Sequence, residues 1–340
     1  MQRRSFLALV VATVILVAGA IAAVETGDRH VSVASAGERA LPKLAPKLGD
    51  LAWLRLTRGT MNANFSLVGG HWVVVEKGNY PAAEAKVRQL LLALSDLTMM
   101  EPKTRLPELY PRLEVDDPSK GKATQVTIQD RTGQVVGEVI VGKRRADRLG
   151  TDKDGVYIRR PDEAQVWLAR GSPDVSGDLA SWLDRHIVDI PAARIRSMVL
   201  NPANGGVLVV SRAKADAKFA VDNAPGDAKF KADTAIAEPA GALAGLDLID
   251  VKPAADQPVP DTGVTTAAYT TFDGLTVRLR LWEAGGSDWL AIEASGTGAA
   301  AAEAKKLNET VQRWRYEIPS YKAKPLRTRL ADLIEPPKGS

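Results

Sequence analysis

The chain has 340 residues, of which 45% are hydrophobic, so it can bury one large core or two ordinary ones, and two domains are expected. Its 45 basic and 41 acidic residues leave a net charge of only +4, which does not indicate binding to nucleic acid. The absence of cysteine excludes disulfides, thiolate metal sites, cysteine nucleophiles and a lipoprotein anchor. The three histidines, His30, His71 and His186, are not at metal-ligand spacing, which argues against zinc binding and histidine-based catalysis.

The chain begins with a segment that is apolar enough to cross a membrane. Residues 6–24 carry no charge and follow Arg3 and Arg4, so a single transmembrane helix is predicted, long enough for a hydrocarbon core of about 30 Å. By the positive-inside tendency, the N-terminus stays in the cytoplasm and the bulk of the chain is periplasmic. Two alternatives remain open: a cleaved signal peptide, because residues 18–23 are small, and a twin-arginine export signal, whose pattern residues 3–7 partly match.

Composition divides the rest of the chain into a linker, two domains and a tail. Residues 25–50 mix Gly, Ser, Ala, Pro and charged residues, which is typical of a stalk. We expect a first α+β domain over residues 51–190 and a second one, with C-terminal helices, over residues 191–335. Residues 336–340 are expected to form a loose tail.

The first domain contains the most complete strand-turn-helix pattern of the chain. Residues 72–76 form an apolar, β-branched run that predicts a buried strand, and residues 83–95 predict a helix that packs on a sheet. The apolar residues of this helix repeat at i, i+3, i+4 and i+7: Val87, Leu90, Leu91 and Leu94. Four prolines between residues 101 and 118 exclude one continuous helix there. Further strands are predicted at residues 51–57, 64–68, 124–129, 135–141, 156–159 and 165–168.

The second domain repeats this succession of strands, helix and hairpin. Strands are predicted at residues 195–200, 206–211, 218–221, 267–272 and 275–282. Helices are predicted at residues 178–190, 238–246, 299–314 and 326–333.

Similar segments occupy equivalent places in the two domains. LLALSDLTMMEPK (91–103) and ALAGLDLIDVKP (242–253) each place a helix end before a strand, and each domain continues with a hairpin. The predicted fold class is therefore α+β, with two tandem divergent copies of an antiparallel-sheet-plus-helix unit behind one N-terminal transmembrane helix.

One segment nearly matches a phosphate-binding loop. Residues 137–144 spell G-x-x-x-x-G-K but end in Arg144 where a magnesium-binding hydroxyl is required, and residues 139–141 are β-branched strand material. Nucleotide binding is therefore not predicted. The basic residues at this point are interpreted as a solvated loop or, alternatively, as a site for anionic lipid or an acidic partner: Lys143, Arg144, Arg145 and Arg148.

Other residues of types that occur in catalytic sites lack the sequence spacing that such sites require. Asp116-Asp117 is interpreted as a proline-flanked turn rather than as acid-base carboxylates. Ser172, Ser176 and Ser181 lie near His186 in the sequence, but none sits in a G-x-S-x-G elbow. The aromatic residues within apolar patterns are expected in the core or at its rim: Trp72, Tyr80, Trp167 and Trp182. No catalytic, cofactor-binding or metal-binding residue, and no cofactor, is predicted.

Three segments together resemble a known family. They are WVVVEKGNYPAAEAKVRQLLLALSDLTMMEPKT (72–104), WLDRHIVDIP (182–191) and TTFDGLTVRLRLW (270–282). They are similar to the bacterial family called domain of unknown function 4340, and the resemblance covers most of the chain after the stalk. It implies one N-terminal membrane helix before an extracytoplasmic domain, and a gene often placed beside ABC-2-type or gliding-motility-type transporter genes. It implies no catalytic residues.

These observations lead to one main functional hypothesis and two alternatives. The main hypothesis is a non-enzymatic, membrane-anchored accessory protein of an ABC-type transport or gliding-motility-type assembly. Its expected partners are the inner membrane, a transporter permease and an associated extracytoplasmic subunit. One alternative is an envelope hydrolase acting on a polymer, with Asp116 or Glu101 as candidate carboxylates. The other is a solute- or glycan-binding module with a cleft between the two repeats.

Overall fold

A computed structural model describes residues 36–145, 155–226 and 228–335. The predicted membrane segment, residues 25–35 of the predicted stalk, Arg148 and the tail at residues 336–340 lie outside the described residues. Within the described ranges, no helix is both long enough and apolar enough to cross a bilayer.

The described chain forms two compact units, both built from antiparallel sheet and helix, so the α+β class is confirmed. The first unit contains residues 36–73, 84–145 and 155–179. The second contains residues 74–83, 180–226 and 228–335.

The first unit is organised around one antiparallel sheet. Its strands are β1 (Leu51–Arg58), β2 (Met61–Val68), β3 (His71–Val74), β5 (Thr98–Pro102), β6 (Thr124–Asp130), β7 (Val135–Arg145), β8 (Gly155–Arg159) and β9 (Val166–Arg170). They lie in the order β3-β2-β1-β6-β7-β8-β9-β5. Residues 37–40 cover the outer edge of β5, because Met99 N donates to Glu38 O at 2.9 Å and Ala40 N donates to Leu97 O at 2.7 Å.

Helix α1 (Glu84–Ser95) supplies one apolar face to the core of the first unit. Val87, Leu90, Leu91 and Leu94 are all buried, as the 3.6-residue period predicts. Glu84, in the first turn, accepts a hydrogen bond from Trp72 N at 3.0 Å, which fixes the start of the helix against β3. A short second helix, α2 (Tyr110–Leu113), follows a single 3₁₀ turn at Pro107–Leu109, in agreement with the proline-interrupted sequence.

The second unit contains a sheet of eight strands and a small two-stranded ribbon. The sheet strands are β11 (Ile195–Asn201), β12 (Leu208–Ser211), β13 (Ala220–Val221), β15 (Asp250–Pro253), β16 (Thr265–Thr271), β17 (Leu275–Ala284), β18 (Ser287–Gly296) and β19 (Trp314–Ile318). Their order is β13-β12-β11-β16-β17-β18-β19-β15. The ribbon pairs β10 (His186–Val188) with β14 (Leu246–Asp247), and β4 (Tyr80–Pro81) is a strand of only two residues.

Four helices belong to the second unit: α3 (Asp233–Ala237), α4 (Ala300–Val311), α5 (Ser320–Leu326) and α6 (Leu330–Leu333). Helix α4 packs against β18 and β17 and buries Ala300, Ala304 and Val311. In β17 the apolar residues at alternate positions are buried, while Arg278 and Arg280 between them are exposed on the other face of the sheet.

Two predicted helices in the second unit are wrong. Residues 178–190 form a 3₁₀ turn at Leu179–Trp182 followed by strand β10, because backbone pairing with β14 engages the β-branched residues there. Residues 238–246 form a 3₁₀ turn at Glu238–Gly241 and then strand β14, whereas the α-helix lies earlier, at Asp233–Ala237. Gly245 adopts a left-handed conformation with φ of 50°, which ends the helical segment before Leu246.

Two further helix predictions need new bounds. The helix predicted at residues 299–314 ends at Val311, because Trp314 already belongs to strand β19 and pairs with Pro253 of β15. The helix predicted at residues 326–333 is replaced by α5 and α6, and Arg327 between them leaves the helical conformation.

Candidate binding groove

The exposed face of the second sheet carries a row of cations that the strand register brings together. Arg280 of β17 lies opposite Ala291 of β18 and, on its other side, opposite Thr266 of β16. Leu290 of β18 pairs with Tyr316 of β19, and continuing this antiparallel register by one residue brings Arg315 to the far side of Ala291. A small alanine therefore stands between two arginines.

A second row lies beside the first. Arg278 is opposite Glu293 on β18 and opposite Ala268 on β16, and Ala268 is opposite Val199 on β11. The alanines at the centre of both rows leave a depression between longer side chains. We call this depression the sheet groove.

The sheet groove has a volume of about 590 Å³ and is open to solvent. Its walls combine three arginines and one glutamate with a few apolar side chains, as is common in sites for small molecules. The side chains used in the argument below are Val199, Thr266, Ala268, Arg278, Arg280, Ala291, Glu293 and Arg315.

Arg315 is held in place by its own strand. Its Nη1 donates to Trp314 O at 2.7 Å and, more weakly, to Gln312 O at 3.4 Å. Its Nε is buried and has no hydrogen-bond partner among the described residues. Burial, followed by the nearby charge of Arg280, lowers the pKa of Arg315 from its ordinary value.

The neighbouring charges do not neutralise this row. In the described chain, Arg280 makes no ion pair, and Glu293 makes none within 4.0 Å although it lies opposite Arg278. Arg278 donates to Ser295 Oγ at 3.3 Å. Lys252 lies opposite Arg315 on β15 and stacks over the ring of Trp289 at 4.8 Å. The groove therefore offers cationic donors that are not already paired with carboxylates.

One end of the exposed face is closed by apolar packing. Trp282, Trp289 and Ala291 form a buried cluster, and Val259 and Val264 pack against it. The segment before β16 thus covers the sheet on one side of Ala291. Ala291 belongs both to this cluster and to the lining of the sheet groove.

The carboxylates that the sequence singled out lie in the first unit and not in the groove. Asp117 accepts hydrogen bonds from Ser119 N and Ser119 Oγ, which lower its pKa and form a local turn, as interpreted from the sequence. Asp116 Oδ1 is buried without a hydrogen-bond partner among the described residues, and Gly121 packs directly against this carboxylate. Glu101 forms an ion pair with Lys103 at 2.6 Å.

The histidines and serines also make local contacts. His186 Nδ1 lies 3.7 Å from Asp247 across the β10–β14 ribbon, and both side chains are exposed. His71 Nδ1 lies 3.3 Å from Glu84 in the first unit. Ser176 Oγ donates to Asp174 at 2.5 Å, which lowers the pKa of that aspartate. Within the described ranges, no group of three or more His, Asp or Glu residues could hold a metal ion.

The segment that resembles a phosphate loop is strand β7, as its β-branched residues predicted. Its glycine at position 142 has a packing role, since a Cβ there would collide with the backbone oxygen atoms of Leu113 and Glu114. Lys143 and Arg144 line a shallow depression together with Glu114 and Asp174, so this basic cluster is partly compensated by carboxylates.

The four aromatic residues singled out from the sequence are buried: Trp72, Tyr80, Trp167 and Trp182. Tyr80 packs edge-on against Trp314, with ring centroids 5.0 Å apart, and also against Tyr316. These contacts place Tyr80 in the core of the second unit.

Sequence reasoning missed the residues of the sheet groove. The only sequence signal was the alternation in β17, where arginines at positions 278 and 280 interrupt the apolar residues at odd positions. That pattern identifies an exposed basic face, but the residues opposite depend on strand register.

Comparison with known proteins gives one match. The family model described as Domain of unknown function (DUF4340) matches residues 72–267, which is more than half of the chain and runs from one unit into the other. No curated protein and no solved structure matches the chain.

Proposed function

Because the chain belongs to the DUF4340 family, we propose that it is a non-enzymatic, membrane-anchored extracytoplasmic accessory protein of an ABC-type transport or gliding-motility-type assembly. It acts by contact with a transporter permease or an associated extracytoplasmic subunit. The observation that carries the proposal is the order of segments: the family region follows an uncharged stretch at residues 6–24, with Arg3 and Arg4 before it.

Cross-linking in the native cell tests this role. The full chain would carry a photo-reactive residue at exposed positions, and covalent products would be identified by mass spectrometry. We expect the permease or extracytoplasmic subunit of one transporter among them. As a control, residues 1–24 would be exchanged for a cleavable export signal, which should reduce these products. Products restricted to cytoplasmic proteins would contradict the proposal.

A second candidate function is that of a solute- or glycan-binding module, and the sheet groove favours it. A depression of about 590 Å³ falls within the range of small-molecule sites, and its arginines make no ion pair with a carboxylate in the described chain. This function is compatible with an accessory role, because a bound solute can be delivered to a transporter.

We also infer that the two units are divergent copies of one α+β unit. The order β3-β2-β1-β6-β7-β8-β9-β5 in the first sheet and the order β13-β12-β11-β16-β17-β18-β19-β15 in the second follow the same path through the chain. Superposing the eight equivalent strands in an experimental structure tests the inference. Helices α1 and α3 should then lie on the same face of their sheets, and opposite faces would contradict a common origin.

A further inference from the structure

We propose that the sheet groove binds a sugar-sized solute that carries a phosphate or carboxylate group, with the anion between Arg280 and Arg315. The inference rests on the solute-binding candidate and names its ligand class, and it is independent of the accessory role.

The first argument is charge. The register places Arg280, Arg315 and Lys252 on one face, and no carboxylate pairs with Arg280 or Arg315 within the described part of the chain. Like charges at this spacing repel one another, and the partial burial of Arg315 removes the water that would screen them. An anion between the two guanidinium groups relieves that repulsion.

The second argument is the fixed geometry of the donor. Arg315 Nη1 is bound to the carbonyl oxygen of Trp314, so the plane of the guanidinium is restricted before a ligand arrives. Arginine binds phosphate and carboxylate through charge-assisted N–H donors, and a guanidinium whose orientation is already restricted loses less entropy on binding. Ala291, between Arg280 and Arg315, leaves the space in which an anion fits.

The rest of the groove suits a polyhydroxylated body. Thr266 can donate or accept a hydrogen bond, and the unpaired carboxylate of Glu293 is an acceptor for hydroxyl groups. Ala268 and Val199 supply a small apolar surface beside these groups, and Val199 is 42% exposed. A sugar ring with one acidic substituent matches this combination better than a bare inorganic ion.

Isothermal titration calorimetry on the purified full chain tests the proposal. The ligands would be glucose phosphate, glucuronate, inorganic phosphate and glucose. We expect saturable binding of glucose phosphate or glucuronate, and comparison of these two identifies the acidic group. Added salt should weaken binding, because the contact is ionic. Glucose and inorganic phosphate should bind more weakly than the acidic sugar.

Three variants assign the binding to the groove. Arg280→Gln removes a cation that pairs with no carboxylate among the described residues and should weaken binding about tenfold or more. Among the described residues that line the groove, Glu293 is the one carboxylate, and Glu293→Gln removes its charge but keeps an acceptor oxygen for hydroxyl groups, so binding of the anion should tighten. Arg196→Gln is the matched control, because Arg196 is exposed on β11 and does not line the groove.

The outcomes separate the inference from the solute-binding function on which it rests and from the accessory role. Equal affinities of Arg280→Gln and Arg196→Gln would overturn it. Saturable binding of glucose without preference for the acidic sugars would overturn the anionic class but keep a solute-binding module. No binding of any of the four ligands would overturn the inference, whereas the accessory role depends only on the cross-linking result.

Discussion

The side chain of Asn308 makes two hydrogen bonds with the backbone of strand β18 that a neighbouring strand would otherwise make. Its side-chain amide accepts a hydrogen bond from Ala294 N at 2.8 Å and donates one to Ala294 O at 2.7 Å. Asn308→Ala leaves both buried backbone groups unsatisfied, and the better helix propensity of alanine offsets only part of this cost. We expect the free energy of unfolding to fall by about 1–2 kcal/mol, measured by urea denaturation.

A matched control lies on the same helix. Lys306 is exposed on α4, and its side chain makes no hydrogen bond or ion pair within the described chain, so Lys306→Ala should change the unfolding free energy by less than about 0.5 kcal/mol. If the two variants were equally stable, the Asn308 contacts would not be important for β18.

Three buried tyrosines in the second unit predict a loss of stability at alkaline pH. Burial raises the pKa of Tyr80, Tyr269 and Tyr316 above the ordinary value, and Tyr269 also donates a hydrogen bond to Pro239 O at 2.9 Å. The native state therefore keeps protons that the unfolded chain loses above about pH 10. The stabilisation is fully present below that pH and falls above it by roughly 1.4 kcal/mol per pH unit for each tyrosine.

Phenolate absorbance and circular dichroism, followed together, measure this effect. We expect these three of the six tyrosines to ionise only when the dichroism of the fold is lost. Ionisation of all six near pH 10 with an unchanged spectrum would show that the three rings are not shielded from water.

At the scale of elements, the apolar face of α1 gives a direct test of the first core. Leu91 is 6% exposed, so Leu91→Asp buries a charge and should cost several kcal/mol in urea denaturation. Lys86 on the same helix is not a neutral control, because its Nζ donates to Ser176 O at 3.4 Å and partial burial lowers its pKa. Gln89 is exposed, and Gln89→Asp should cost little. Equal costs at positions 89 and 91 would mean that the helix buries a different face.

The sequence predicted the type and bounds of an element accurately where one hydrophobic period extended over the whole element. The buried positions of α1 repeat with a helical period, and α1 was predicted within one residue of its bounds. Strand β18 was missed because Trp289, Leu290, Ala291 and Ile292 are all buried, so the alternation of a half-exposed strand is absent. Trp314 continued the apolar spacing of α4, and for that reason the predicted helix included the first residue of β19.

The sheet groove was less accessible to sequence reasoning than the fold. Its residues come from β11, β16, β17, β18 and the end of α4 through β19, and their separation in the chain exceeds one hundred residues. A shift of one residue in strand pairing would move Arg280 away from Ala291 and turn it to the other face. Strand register therefore had to be known before Arg280 and Arg315 could be recognised as neighbours.

At the scale of the whole molecule, the proposed arrangement across the membrane depends on Arg3, Arg4 and residues 6–24. A stretch of that length without charge can span about 30 Å, and the two arginines should hold the N-terminus in the cytoplasm. We expect alkaline phosphatase fused after Val24 to be active and β-galactosidase fused there to be inactive. Replacing both arginines by glutamate should reduce the phosphatase activity, whereas replacing them by lysine should preserve it.

Intact-mass analysis then distinguishes an anchor, which keeps residues 1–24, from a cleaved signal. A phosphatase fusion that is inactive beside an active β-galactosidase fusion would contradict the predicted orientation.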